Sequence, residues 1–213
     1  EVSTLYDTAM VRKRGAARLS YDALRVHAPS GICPYCGQLP VATLDHYLPR
    51  GKRKVLAVSS RNLVPACRDC NSEKLEYLPA SNDAAVFHPY YDQVHDVTWL
   101  VARFEYRSPL VARFRVLAPP GWQLAARAVK HMEVFKLARL YATQAAVELV
   151  NVKGALARRL EAGGRESLVA HIQQQRESFQ AASRNSWRTA LYAAMADDDR
   201  FINDGIAMIP SAV

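Results

Sequence analysis

The spacing of hydrophobic positions changes along this chain. Two short apolar runs, at 39–44 and 63–66, are broken by proline and lie among glycine and polar residues, which is typical of short strands and loops. Two longer β-prone runs, at 99–106 and 110–117, are separated by Arg107-Ser108-Pro109 and predict a hairpin. The sequence before residue 120 therefore favours short strands over long helices.

From Leu124 onward the apolar residues recur at intervals of three or four positions, which places them along one face of a helix. Gly163-Gly164 interrupts this pattern and predicts a break. Two short helices are expected earlier, one capped by Ser20 and reaching Val26, and one that begins near Arg68 or Cys70. The C-terminal apolar stripes are Leu124, Ala128, Met132 and Phe135; Leu149, Val152, Leu156 and Leu160; Leu168, Ile172 and Phe179; and Trp187, Leu191 and Met195.

The composition narrows the class of protein. Apolar residues make up 50% and charged residues 23% of the 213 residues, which argues against bulk disorder and fits a chain with a core of its own. No apolar run approaches the roughly 20 residues that cross a bilayer, and residues 1–10 lack the pattern of a signal peptide. We therefore expect a cytoplasmic protein without a membrane partner. The net charge of +8 favours a polyanionic partner.

The four cysteines form two C-x-x-C pairs, Cys33 with Cys36 and Cys67 with Cys70. Two residues between cysteines let both sulfurs turn toward one point, and four thiolates suit tetrahedral zinc. Gly37 fits the tight turn that such a knuckle needs. Disulfides or unrelated thiols are the less favoured alternatives. Because four thiolates leave no open coordination position, the predicted zinc is structural.

Polar residues in a fixed order lie between and just after the two pairs. They are Asp45-His46, Pro49, Asn62-Leu63, Asn71 and Lys74. Together with the cysteines, this order over residues 32–75 resembles the zinc-knuckled form of the HNH endonuclease family. The resemblance implies a ββα-metal fold, in which a hairpin carries the Asp-His pair, a loop carries the middle Asn, and a helix carries the last motif residue.

The resemblance also implies a role for each motif residue. His46 matches the general base that activates water, and Asp45 and Asn71 match the ligands of a catalytic divalent cation. Asn62 matches the asparagine that braces the loop and fixes the base, and Lys74 is expected to assist by contacting phosphate. The chemistry agrees, because histidine accepts a proton near neutral pH and hard oxygen ligands suit Mg²⁺ or Mn²⁺.

Each role has a plainer alternative. The alternative for Asn71 is a cap of the helix after Cys70, for Asn62 a turn, and for Lys74 a solvated helix face. Adjacent Asp45 and His46 on a strand point to opposite faces, so their convergence requires a bend.

A basic loop follows the Asp-His pair. Arg50, Lys52, Arg53 and Lys54 are expected to follow a nucleic-acid backbone, which gives binding that weakens with salt. A solvated loop is the alternative interpretation.

The chain is thus predicted to be an α+β protein with three segments. These are an N-terminal basic helical segment at 1–29, a zinc-stapled ββα-metal core at 30–77, and a small β element with a C-terminal helical bundle for support or docking at 78–213. The expected function is metal-dependent hydrolysis of DNA phosphodiester bonds. The alternatives are a non-catalytic zinc-knuckle module that binds nucleic acid, and an RNase.

The layout beyond residue 88 loosely resembles stand-alone bacterial HNH proteins. Some of these proteins work beside an ATPase in anti-phage systems such as Septu or retrons. The resemblance implies an ATPase or another defence-system subunit as a partner.

Overall fold

The computed structural model describes residues 2–12 and 15–211. Lys13 and Arg14, which belong to the basic N-terminal segment of the sequence, lie outside the described residues. The chain divides into two compact units. Unit 1 contains the described residues up to Gln93 together with Ala126–Lys136, and unit 2 contains Val94–Ala125 and the described residues from Leu137 onward. The predicted segments 1–29, 30–77 and 78–213 do not coincide with these units.

Unit 1 begins with helices that lead into a two-stranded sheet. Its elements in chain order are α1 (Val2–Leu5), a π-helical turn (Tyr6–Met10), α2 (Ala16–Val26), β1 (Thr43–His46), β2 (Leu63–Ala66), α3 (Arg68–Lys74) and most of α4 (Ala125–Val134). Helix α2 begins before Ser20, the predicted cap, because Ala16, Ala17 and Arg18 are good helix formers that follow Gly15.

Strands β1 and β2 pair in antiparallel register, with Asp45 opposite Val64 and His46 opposite Leu63. Helix α3 follows β2 directly, with Cys67 at its N-cap, where the sulfur accepts a hydrogen bond from the backbone N–H of Cys70. Hairpin and helix in this order form the ββα arrangement that the resemblance implies.

The N-terminal helices cover the outer side of this hairpin. Tyr6, Met10 and Tyr21 form a buried cluster with Leu44 of β1 and Leu63 of β2. The Tyr6 hydroxyl also donates to the Leu44 carbonyl at 3.3 Å. Residues 2–26 are therefore part of the same compact unit as the motif, because their apolar faces supply the hairpin with a core that it cannot form alone.

Unit 2 contains the predicted hairpin and the predicted helical bundle. Strand β3 (Leu100–Glu105) pairs antiparallel with β4 (Val111–Val116). Strand β3 packs on α6 (Trp187–Asp197), and β4 packs mainly on α5 (Leu137–Ala182). A π-helical turn (Phe201–Gly205) and α7 (Ile206–Met208) follow α6. Helix α5 is kinked at Gly164, which adopts a φ of 67°. The α+β class is therefore confirmed, with the ββα segment in unit 1 and C-terminal helices in unit 2.

None of the helices formed by the described residues combines the length and the apolar character needed to span a membrane.

Candidate functional site

The four cysteines converge on one buried point in unit 1. None of the four forms a disulfide, and their sulfurs lie within 4.8 Å of one another. A Zn–S bond of about 2.3 Å places tetrahedral sulfurs about 3.8 Å apart, and the sulfurs of Cys36 and Cys67 are 3.9 Å apart. The donor set therefore fits a tetrahedral structural zinc, as the sequence predicts.

The local backbone prepares these sulfurs for a metal. The N–H of Leu39 donates to the sulfur of Cys36 at 3.4 Å, and the N–H of Cys70 donates to that of Cys67 at 3.3 Å. Gly37 turns the first knuckle with a φ of 60°. Contacts from the other sulfurs, that of Cys36 first, lower the pKa of the Cys33 thiol. Donors aimed at sulfur stabilise thiolate, which is the form that binds zinc.

Asp45, the first residue of the Asp-His pair, is buried and bonded to two side chains. Its Oδ2 accepts a hydrogen bond from the Tyr35 hydroxyl at 2.9 Å, and the Lys74 ammonium lies 3.1 Å from Oδ1 and 3.0 Å from Oδ2. A carboxylate offers about four acceptor positions, and these three contacts leave one. Asp45 therefore retains the capacity for a single bond to a hard cation.

Lys74 differs from its predicted role. Its side chain has no exposed surface, and its ammonium also donates to the His46 carbonyl at 2.6 Å. The lysine is thus held inside the unit as the counter-ion of Asp45, and its side chain is shielded from solvent. The physical reason is its position one turn after Cys70, which places it on the buried face of α3.

His46 is half-buried and anchored through one ring nitrogen. Its Nε2 lies 2.9 Å from the carbonyl oxygen of Ala57, so Nε2 carries the proton and donates it. In the neutral ring, Nδ1 then keeps the lone pair. Burial lowers the pKa of His46, and the Ala57 carbonyl and the Asp45 carboxylate only partly offset this effect. The ring is therefore neutral at physiological pH and able to accept a proton.

The two residues of the pair face different surroundings. The ring of His46 packs edge-on against Tyr6, with centroids 4.4 Å apart, whereas Asp45 faces Tyr35 and Lys74. Both residues remain in the regular register of β1, so the expected bend between them is not observed.

Asn62 ties together the loop that follows β1. Its amide nitrogen donates to the carbonyls of Leu48 and Leu56 at 3.0 and 3.2 Å, and its amide oxygen accepts from the N–H of Leu48 at 2.8 Å. Since Leu56 precedes Ala57, this buried amide also fixes the carbonyl that anchors His46. Its predicted contribution to catalysis stays a prediction.

Asn71 is partly exposed in the second turn of α3. The alternative that it caps this helix is wrong, because Cys67 occupies the N-cap. Asn71 lies three residues before Lys74, so the two side chains are neighbours on the helix surface. This places Asn71 on the side of α3 from which Lys74 reaches Asp45.

The predicted nucleic-acid-binding residues are placed on the loop between His46 and its anchor, Ala57. Lys52, Arg53 and Lys54 are exposed. Arg50 instead forms an ion pair with Asp7 at 2.7 Å and lies over the ring of Tyr6. Three of the four cations are thus accessible on the loop that anchors the histidine.

The structure also reveals supporting residues that the sequence did not indicate. In α4, His131 accepts a hydrogen bond from the N–H of Phe87 at 3.2 Å and donates to the Tyr35 carbonyl at 2.7 Å. Full burial lowers the pKa of His131 to about 4, which keeps it neutral. Arg127 of the same helix pairs with the partly buried Asp92 and donates to the Val86 carbonyl. Nothing in the helical periodicity of this segment distinguishes it from the bundle that follows.

Comparison with known proteins finds a match for the motif segment. Residues 33–76 match the family model described as HNH endonuclease. The match spans both cysteine pairs and every polar motif residue, which confirms the resemblance drawn from the sequence.

Over 219 aligned residues, the chain is 27% identical to Protein ea31 of Escherichia phage lambda. The alignment covers 94% of this chain and 73% of the phage protein. No solved structure is significantly similar to the chain.

Proposed function

We propose that this protein is a metal-dependent endonuclease that hydrolyses phosphodiester bonds in DNA, with His46 as the general base. The observation that carries this proposal is the state of the His46 ring within an HNH domain. Ala57 holds Nε2–H, which leaves Nδ1 as the acceptor, and burial keeps the ring neutral. A neutral, oriented imidazole is the group that takes a proton from water during hydrolysis.

The donor chemistry around α3 fits a divalent cation. Asp45, through its remaining acceptor position, and Asn71, through its amide oxygen, would hold Mg²⁺ or Mn²⁺. A cation bound there would neutralise charge on the scissile phosphate and on the leaving oxygen. The chain itself contributes by orienting these donors. Lys74 balances the charge of Asp45, and Asn62 holds the loop whose Ala57 carbonyl anchors the base.

The distribution of charge supports a nucleic-acid substrate. The net charge is +8, and Lys52, Arg53 and Lys54 are exposed on the loop that begins at the base and ends at its anchor. Cations along this loop suit the regularly spaced phosphates of a nucleic-acid backbone. We propose duplex DNA as the substrate. RNA is distinguished by offering transfer RNA and duplex DNA to the protein in parallel reactions.

The test is a plasmid-nicking assay with Mg²⁺, with Mn²⁺ and with a chelator. The wild-type chain should nick only with a cation, and His46→Ala should lower the rate by about 10²–10⁴-fold while it still binds the plasmid. The matched control is His95→Ala, which removes an exposed histidine of unit 2 and should cleave normally. If neither wild type nor His46→Ala nicks the plasmid although both bind it, the protein is a non-catalytic nucleic-acid-binding module, and if both nick it equally, His46 is not the base.

We propose further that unit 2 docks an ATPase of an anti-phage defence system, which regulates cleavage. The support is the separate unit formed by the hairpin and helices α5 and α6, which exceeds what a minimal nuclease fold needs. If the purified chain cleaves at its full rate and no ATPase copurifies with it from the native host, this proposal fails.

A further inference from the structure

Tyr35 lies between the zinc-ligating cysteines of the first pair, and it is fixed from several sides. Only 2% of its surface is exposed, and its ring stacks on Phe135 with centroids 4.5 Å apart. Its carbonyl accepts the Nε2–H of His131 at 2.7 Å. A side chain so constrained has a single direction in which its hydroxyl can point.

That hydroxyl points at Asp45. It donates to Oδ2 at 2.9 Å, from a residue whose backbone belongs to the zinc knuckle. Asp45 is thus in direct contact with the first knuckle through this hydrogen bond.

Lys74, the second partner of Asp45, fixes the orientation of the Asp45 carboxylate less well than Tyr35 does. The Lys74 ammonium lies about equally far from both carboxylate oxygens, at 3.1 and 3.0 Å, whereas Tyr35 contacts Oδ2. An ammonium is a point charge on a flexible stem. The tyrosine hydroxyl, carried by a rigid ring, selects one oxygen and leaves Oδ1 the less occupied.

We infer that Tyr35 is a positioning residue that orients the Asp45 carboxylate toward its cation and thereby couples the four-cysteine centre to the catalytic site. This inference rests on the proposed function, because it assigns Asp45 to the cation. Residues that hold a metal ligand from behind commonly change metal affinity or activity by about 10–100-fold when they are replaced.

The test compares Tyr35→Phe with Tyr77→Phe in the zinc-loaded, full-length protein. Tyr77 donates its hydroxyl to the Ala84 carbonyl at 2.6 Å, so the control removes a tyrosine hydrogen bond that does not involve Asp45. Mn²⁺ binding is measured by titration calorimetry, and zinc content by metal analysis. Tyr35→Phe should weaken Mn²⁺ binding about 10-fold or more and retain one zinc, and Tyr77→Phe should bind Mn²⁺ as the wild type does.

A second readout is the Mn²⁺ concentration that gives half-maximal nicking. It should rise in Tyr35→Phe by the same factor, and the rate at saturating Mn²⁺ should fall less than the affinity does. Unchanged Mn²⁺ binding in Tyr35→Phe would overturn the inference while His46-dependent cleavage, and with it the proposed function, remained. Loss of zinc from Tyr35→Phe would also overturn it, because the tyrosine would then act on the knuckle alone. Absence of both Mn²⁺ binding and cleavage in the wild type would remove both proposals.

Discussion

The cysteine centre and the surroundings of Asp45 are both buried in unit 1, yet different interactions hold them together. Four identical sulfurs converge through two short knuckles, and each knuckle brings its own backbone donors. Asp45 depends on an ammonium from α3 and a hydroxyl from the first knuckle. The difference shows that a metal centre can be complete in local motifs, whereas a buried carboxylate needs charge balance from separate elements.

Removal of zinc from the cysteine centre should have the largest effect on the stability of unit 1. Replacement Cys67→Ser, or chelation of the wild-type protein, should unfold unit 1, because structural zinc contributes on the order of 10 kcal/mol to domains of this kind. Near-ultraviolet circular dichroism and a colorimetric assay of released zinc measure the effect. Retention of native tertiary signals after complete zinc removal would show that the apolar cluster around Tyr6 and Leu44 is sufficient.

A smaller effect should follow from breaking the Asp45 ion pair. Lys74→Met leaves a buried carboxylate without its cation and should lower the free energy of unfolding by about 3–5 kcal/mol, with zinc still bound. Combining it with Asp45→Asn should cost less than the two single changes together, because each removes the same interaction. Urea denaturation measures all three variants.

The matched control is Lys130→Met, which removes a partly exposed lysine paired with Glu133. Surface pairs of this kind contribute about 0–1 kcal/mol, so this variant should unfold close to the wild type. If Lys74→Met were equally mild, the buried pair would not stabilise unit 1.

The smallest expected effect is a shift in the pH dependence of cleavage. Since burial lowers the pKa of His46, the active neutral ring persists to lower pH than in free histidine. Activity should therefore be retained as pH falls through about 6.5, the ordinary value, and be lost only below it. The acid limb of kcat/KM against pH measures this. A midpoint at or above the ordinary value would mean that another group controls the reaction.

Much of this architecture follows from local sequence patterns. The C-x-x-C pairs, the helix after the second pair, the hairpin of residues 100–116 and the break at Gly164 each have a short-range signal, and each is found. The position of α4 has no such signal. Its apolar stripe predicts a helix, but amphipathic periodicity does not reveal which core that helix joins, and Ala126–Lys136 belongs to unit 1.

The burial of Lys74 could not be predicted from local sequence either. A lysine in a short polar helix is expected to be solvated or to bind phosphate, because its burial becomes favourable only when a carboxylate from another element meets it.

Spacing and residue type along the chain were enough to identify the zinc ligands and the Asp-His pair, since knuckles and strands are local structures. Only the tertiary structure shows which side chains and carbonyl groups contact those residues. Tyr35 and Lys74 on Asp45, Ala57 on His46, and His131 on the knuckle are contacts between separate elements. Such contacts depend on packing and charge compensation in three dimensions, which no local pattern encodes.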